Sequence, residues 1–146
     1  MAYQVSKTTR FLSAIVLFFV LIAFHPVYTQ QLRNSTNTLI GTIESGGVIR
    51  DKSNRQVGKI ESDGTIRNSS NALIGKVQPD GVVRDKNNAQ IGRIQSDGVV
   101  RDKNNAQIGR IQSDGTVRNS TNAQIGSAKG VKPEWAAVAF FFFFDL

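Results

Sequence analysis

From residue 33 onward a 17-residue unit recurs without insertion or deletion, and nothing else in the chain restricts its fold so tightly. The unit reads R-[DN]-[KS]-x-N-x-x-[IV]-G-x-[IV]-x-x-[DG]-G-x-[IV]. It starts at Arg33, Arg50, Arg67, Arg84 and Arg101, with a partial sixth copy from Arg118. Copies four and five differ only at Val99 and Thr116, so equivalent residues must occupy equivalent environments. A single unit offers a few aliphatic side chains, worth about 1.5 to 3 kcal/mol each when buried. Ordering its backbone costs about 1 to 2 kcal/mol per residue. One unit therefore cannot fold alone, and stability must come from packing copies against one another.

Within a copy the pattern predicts a β-hairpin. Gln95-Ser96-Asp97-Gly98-Val99 fits a three-residue loop in which Gly98 takes a left-handed conformation. That loop sets Ile94 opposite Val100 on one face. The connection Asp102 to Ala106 follows the same logic with Asn105 as the left-handed residue, and is expected to bring Ile108 opposite Val100. Ile108 and Ile111 are three apart, so strict alternation would send them to opposite faces. Two explanations stand for the glycine between them, which recurs as Gly41, Gly58, Gly75, Gly92, Gly109 and Gly126. Gly109-Arg110 forms a bulge that returns both isoleucines to one core, the favoured reading, or neighbouring backbone leaves room only for hydrogen. Five hairpins result: Ile40–Arg50, Val57–Arg67, Ile74–Arg84, Ile91–Arg101 and Ile108–Arg118. An open stack would need distinct polar caps, whereas a ring needs one strand to seal it, and the partial copy Arg118–Gly126 has the form of that seal.

The segments VGKIESDGTIR (Val57–Arg67) and IGRIQSDGTVR (Ile108–Arg118) resemble the repeats of the bacterial five-fold β-flower proteins, and the resemblance covers roughly Leu39 to Gly126. It implies an all-β fold of five 17-residue hairpin repeats closed about a pseudo-five-fold axis and preceded by a signal-peptide helix. It brings no established activity and no catalytic residue. The first copy departs from the pattern with Gly46-Gly47 in place of Asp-Gly, which leaves that turn's geometry open.

Outside the repeats, Lys7 and Arg10 precede the apolar run Phe11–Phe24, the layout of a secretory signal peptide over 1–29, with cleavage expected near Thr29 or Gln30. Fourteen apolar residues are short for a membrane span, which needs about 20, although His25–Tyr28 could extend the run as a retained anchor. Residues 30–146 then form one repeat domain with a closing C-terminal segment, 129–146. The expected location is outside the cytoplasm: periplasmic, outer-membrane-associated or secreted. With no cysteine, disulfides, thiolate metal sites and a lipidated N-terminal Cys are excluded.

The only histidine, His25, falls in the signal segment, which removes imidazole catalysis and the usual imidazole metal site from the repeat domain. No catalytic, cofactor or metal residue is assigned, and the chain is not expected to be an enzyme. Asp63, Asp80, Asp97 and Asp114 recur in one turn and Asp51, Asp85 and Asp102 in the other; turn formation explains them, with a calcium-binding ring as the alternative. The six arginines are expected to pair with carboxylates such as Asp102 or Asp85, the alternative being an anion-binding ring. Lys7 and Arg10 account for two of the formal +7 charge, and the remaining charges are interleaved in sign. No aromatic residue lies between Arg33 and Gly126, which argues against nucleic-acid binding. The sequons Asn34-Ser35-Thr36, Asn68-Ser69-Ser70 and Asn119-Ser120-Thr121 occupy turn positions.

The tail breaks the pattern with Trp135 and Phe140–Phe144. As a strand Ala136–Phe144 lacks alternation, so it is expected as a closing strand or core plug buried on both faces. The alternative is an exposed patch that docks on a membrane surface, a partner or a second copy. The function expected from all this is a structural or interaction module of the bacterial envelope, with an envelope protein or glycan as partner and anion or calcium binding as the alternative.

Overall fold

The computed structural model describes residues 29–146, so all of the expected signal peptide except Thr29 lies outside the described residues. Twelve strands follow one another: β1 (Thr29–Asn34), β2 (Leu39–Glu44), β3 (Val48–Asp51), β4 (Gln56–Ile60), β5 (Thr65–Asn68), β6 (Leu73–Val77), β7 (Val82–Asp85), β8 (Gln90–Ile94), β9 (Val99–Asp102), β10 (Gln107–Ile111), β11 (Thr116–Asn119) and β12 (Gln124–Ser127). Each pairs antiparallel with its sequence neighbours, and β1 pairs with β12 to close a barrel.

The Asp-Gly hairpins form as their sequence predicts. Ile94 faces Val100, Gln95 N–H donates to Val99 O at 2.8 Å, and Gly98 N–H to Gln95 O at 2.9 Å. Gly98 has φ +84°, and a Cβ there would also press into the Ile111 carbonyl. That carbon's absence lets the turn reach the next hairpin, where Ile111 N–H donates to Gly98 O at 2.9 Å. The first turn is no exception despite Gly46-Gly47: Gly47 has φ +82°, and Gly46 has open space where a side chain would project. At the other end Asn105 takes φ 67°, as do its five counterparts within a few degrees.

The closure shows what the partial copy is for. Arg33 pairs with Ser127 and Asn34 with Gly126, the same relation that Arg118 and Asn119 bear to Arg110 and Gly109 inside a continuous hairpin. β12 and β1 thus make a sixth two-stranded unit that no Asp-Gly turn connects, β12 continuing instead into the C-terminal tail. Leu32 fills the position that Val100 fills elsewhere, and it is fully buried.

The second connection differs from expectation by one residue. Val100 faces Gly109, and the register shifts between Gln107 and Gly109, so Ile108 itself is the extra residue and its counterparts bulge likewise. The bulge sets Ile108 and Gly109 on the core side together with Ile111. Both explanations offered for the glycine prove incomplete. At Gly92, a Cβ would stand 2.5 Å from the Arg101 carbonyl oxygen and 2.5 Å from Cε1 of Phe142. Half of the crowding comes from the C-terminal tail.

That tail runs through the barrel as a helix, which corrects the expected strand. α1 (Pro133–Ala137) opens with Pro133 at its first turn and passes directly into α2 (Val138–Phe142), a wider turn whose bond from Phe143 N–H to Val138 O, 3.2 Å, spans five residues. Ala136 to Ala139 are 0 to 2% exposed, small enough to thread the lumen between Ile43, Ile66, Val83, Val100 and Val117. An element apolar on every side is stable as a helix only when surrounded by core, which the barrel supplies. Beyond it the aromatic rings are dealt out one per repeat: Phe140 against Gly126, Phe141 against Gly109, Phe142 against Gly92, Phe143 against Gly75, Phe144 against Gly58, and Leu146 against Gly41. Six stations around a ring lie about 60° apart, whereas an α-helix turns about 100° per residue. Consecutive residues meet successive repeats only because the helix loosens there.

Candidate functional site

The barrel has two rims, one of Asn turns and one of Asp-Gly turns, and the repeated charged residues serve to build them. Arg101 donates from Nη1 to the Asn105 carbonyl at 2.9 Å and from Nε to Gln95 Oε1 at 3.1 Å. The same pair of bonds recurs at Arg50, Arg67, Arg84 and Arg118, with Glu44 and Glu61 replacing glutamine in the first two. Arg33 reaches Asn37 O and Gln31. The partners foreseen for Arg101, Asp102 and Asp85, are not the ones used. A guanidinium fork bonded to a carbonyl on one side and an amide on the other braces the left-handed Asn against its own strand.

The aspartates are acceptors for backbone. Asp102 Oδ1 takes Asn104 N–H at 2.8 Å and Ala106 N–H at 2.9 Å, and Asn34, Asn68 and Asn119 do the same in the copies that carry Asn. Asp97 Oδ1 takes Val99 N–H at 3.1 Å. Such bonds favour the ionised form. They hold Asp63 and Asp114 below the ordinary carboxylate value chiefly through the N–H groups of Thr65 and Thr116, and Asp51 chiefly through that of Arg55. Ion pairs between hairpins, Lys76–Asp63 at 3.4 Å and Arg110–Asp97 at 3.3 Å, lie on the exposed outer wall. Pairs of that kind contribute roughly 0 to 1 kcal/mol. Among the described residues no three His, Cys, Asp or Glu side chains gather as metal ligands, and no helix is long and apolar enough to cross a membrane.

The six-fold regularity fails in two places, one of them the seam between β12 and β1. Where the tail enters the barrel, Lys132, Glu134 and Trp135 lie beside the turns around Asp63, Asp80 and Gln95 and form with them a cleft of about 730 Å³. A second depression, bordered by Ser45, Lys59 and Glu61, shares Lys132 and Trp135. Trp135 therefore borders both hollows. Lys132 Nζ sits 4.8 Å from the centre of its ring. The middle turn of the cleft carries Pro79, the one proline inside the repeats. The sequence marks Trp135 only as part of the aromatic tail; Pro79, which stands where the other four turns have Ser, is the available signal.

The Phe-rich segment, for which plug and docking patch are the two sequence readings, packs half-buried against the strand glycines. A family model described as "5-fold beta-flower protein" matches residues 29–144. No curated protein and no solved structure matches the chain.

Proposed function

Because the chain belongs to the 5-fold beta-flower proteins, we propose that it works without catalysis, as an exported structural or interaction module of the bacterial envelope. The observation that carries this reading is how completely the recurrent polar groups and the lumen are used by the fold itself. Arg101 and its counterparts brace turns, Asp102 and Asp97 bond backbone N–H groups, and the barrel interior holds Ala136 to Ala139. Anion or calcium capture by the Arg or Asp rings is the weaker reading, because it would take these groups away from the turns they hold. Export is supported by Lys7 and Arg10 ahead of the apolar run Phe11–Phe24, and by a cysteine-free composition that is indifferent to an oxidising compartment. The Phe-rich tail is spent inward in this reading, so a partner, an envelope protein or a glycan, meets the rims and outer wall. The test is fractionation of cells making the full chain at native level, followed by cross-linking in intact cells. The expected result is an envelope-fraction protein cross-linked to an envelope component. Cytosolic protein with Met1 intact and no adduct would refute the proposal.

A further inference from the structure

We propose that the cleft at Trp135 is a saccharide-binding site, taking a neutral or N-acetylated oligosaccharide; the inference deepens the envelope reading by naming which kind of partner the ring meets. A ring of near-identical hairpins offers the same surface in every sector, so a selective site must use what is not repeated. The unrepeated residues Lys132, Glu134 and Trp135 converge on one sector, beside the only turn that carries proline.

The chemistry of that sector suits a ligand with an apolar face and a polar edge. Trp135, partly buried against the core, borders both hollows, and its ring is the kind of rigid amphipathic platform on which the C–H face of a pyranose rests. The polar groups around it are fixed before any ligand arrives. Gln95 has its Oε1 held by Arg101 Nε at 3.1 Å, which orients its amide nitrogen as the remaining donor. Asp80 has Oδ1 held by Val82 N–H at 3.1 Å, which leaves Oδ2 as an acceptor facing Arg93 at 3.8 Å. Pre-oriented donors and acceptors at a rim lower the ordering cost of binding.

Charge decides between ligand classes. The cleft carries Asp63, Asp80 and Glu134 against Arg93 and Lys132, and Asp63 is paired with Lys76 at 3.4 Å, so neither sign dominates. A polyanion would meet three carboxylates and a cation would meet a guanidinium and an ammonium, whereas hydroxyl and acetamido groups can use both signs as hydrogen-bond partners. Lys132 Nζ over the Trp135 ring keeps that face covered until a ligand displaces it.

Trp135 is the single tryptophan of the chain, so its emission reports on this cleft alone. The experiment titrates the purified full-length protein with chitotriose and with soluble peptidoglycan fragments, with heparin as the anionic comparison. A saturable change in emission with either sugar, and loss of affinity of about tenfold or more in Trp135→Phe measured by calorimetry, is expected of an aromatic anchor. Should Trp135→Phe fail to fold, Arg93→Ala on the exposed wall carries the test, with affinity expected to fall about threefold or more. Failure of both sugars to bind the wild-type protein at millimolar concentration, affinity unchanged in the variants that fold, or a response to heparin alone would overturn the proposal. An exported protein blind to these sugars would defeat only this inference and leave the envelope assignment standing.

Discussion

Replacing Gly92 by alanine places a methyl carbon 2.5 Å from both the Arg101 carbonyl oxygen and Phe142 Cε1. Forcing extra volume into a filled core costs about 1 to 3 kcal/mol, and the upper end applies because one of the two obstacles is backbone. Phe142→Ala removes a half-buried ring, which places its cost near the lower limit of the about 3 to 5 kcal/mol usual for such truncations. The two losses should not add. With the ring gone, the new methyl meets only the carbonyl, so Gly92→Ala with Phe142→Ala should fall short of the summed cost by about 1 kcal/mol, within the usual range for residues in contact. Phe140→Ala is the control, because Phe140 rests on Gly126, two repeats away. Its combination with Gly92→Ala should be additive within about 0.5 kcal/mol. Urea denaturation of the three single and two double variants against wild type measures both couplings. Equal couplings for Phe142 and Phe140, or additivity in both, would refute the one-ring-per-repeat arrangement.

Three further outcomes follow from the turns and the tail. Asn105→Ala should destabilise by about 1 to 2 kcal/mol, the cost of left-handed backbone for a residue with Cβ, while Asn105→Gly should stay within about 0.5 kcal/mol; denaturation midpoints separate them. The folded-state values of Asp51, Asp63 and Asp114 lie below the ordinary 3.8, so their contribution is complete above that value and is lost as pH falls through the lower folded-state values. Melting temperature should be level at neutral to mildly acid pH and drop below about pH 4, and Asp63→Asn, which keeps an acceptor oxygen, should reduce the drop. Removing residues 131–146 takes Ala136, Ala137, Val138 and Ala139 out of the core, and the remaining chain should show no cooperative unfolding by circular dichroism. A folded ring without its tail would contradict the tail's place in the core.

Local features of the fold were legible because local sterics decide them. Gly98 and Asn105 announce left-handed backbone, and their turns fix the register of Ile94 against Val100. The bulge was misplaced by one residue because alternation signals that a residue is extra without saying which; the choice depends on how Ile108 and Gly109 share the space beside Val100. β1 was overlooked although Leu32 precedes Arg33 as Val100 precedes Arg101. The tail's conformation was harder to read. An apolar run without alternation fits a buried strand and a buried helix alike, and only the width of a twelve-strand barrel favours the helix. One hint was present: six repeat glycines are matched by six large apolar residues, Phe140–Phe144 and Leu146, across a separation no local rule inspects. The Trp135 cleft had a fainter trace in Pro79, since a symmetric repeat directs attention away from single exceptions.

The pairing of tail with repeats is open to direct observation by nuclear Overhauser spectroscopy on protein labelled selectively at Phe and Gly. Cross-peaks should join the ring protons of Phe140, Phe141, Phe142, Phe143 and Phe144 to the α-protons of Gly126, Gly109, Gly92, Gly75 and Gly58, in that order. Gly α-protons that see only neighbouring strands, together with freely exchanging amides in the tail, would contradict it.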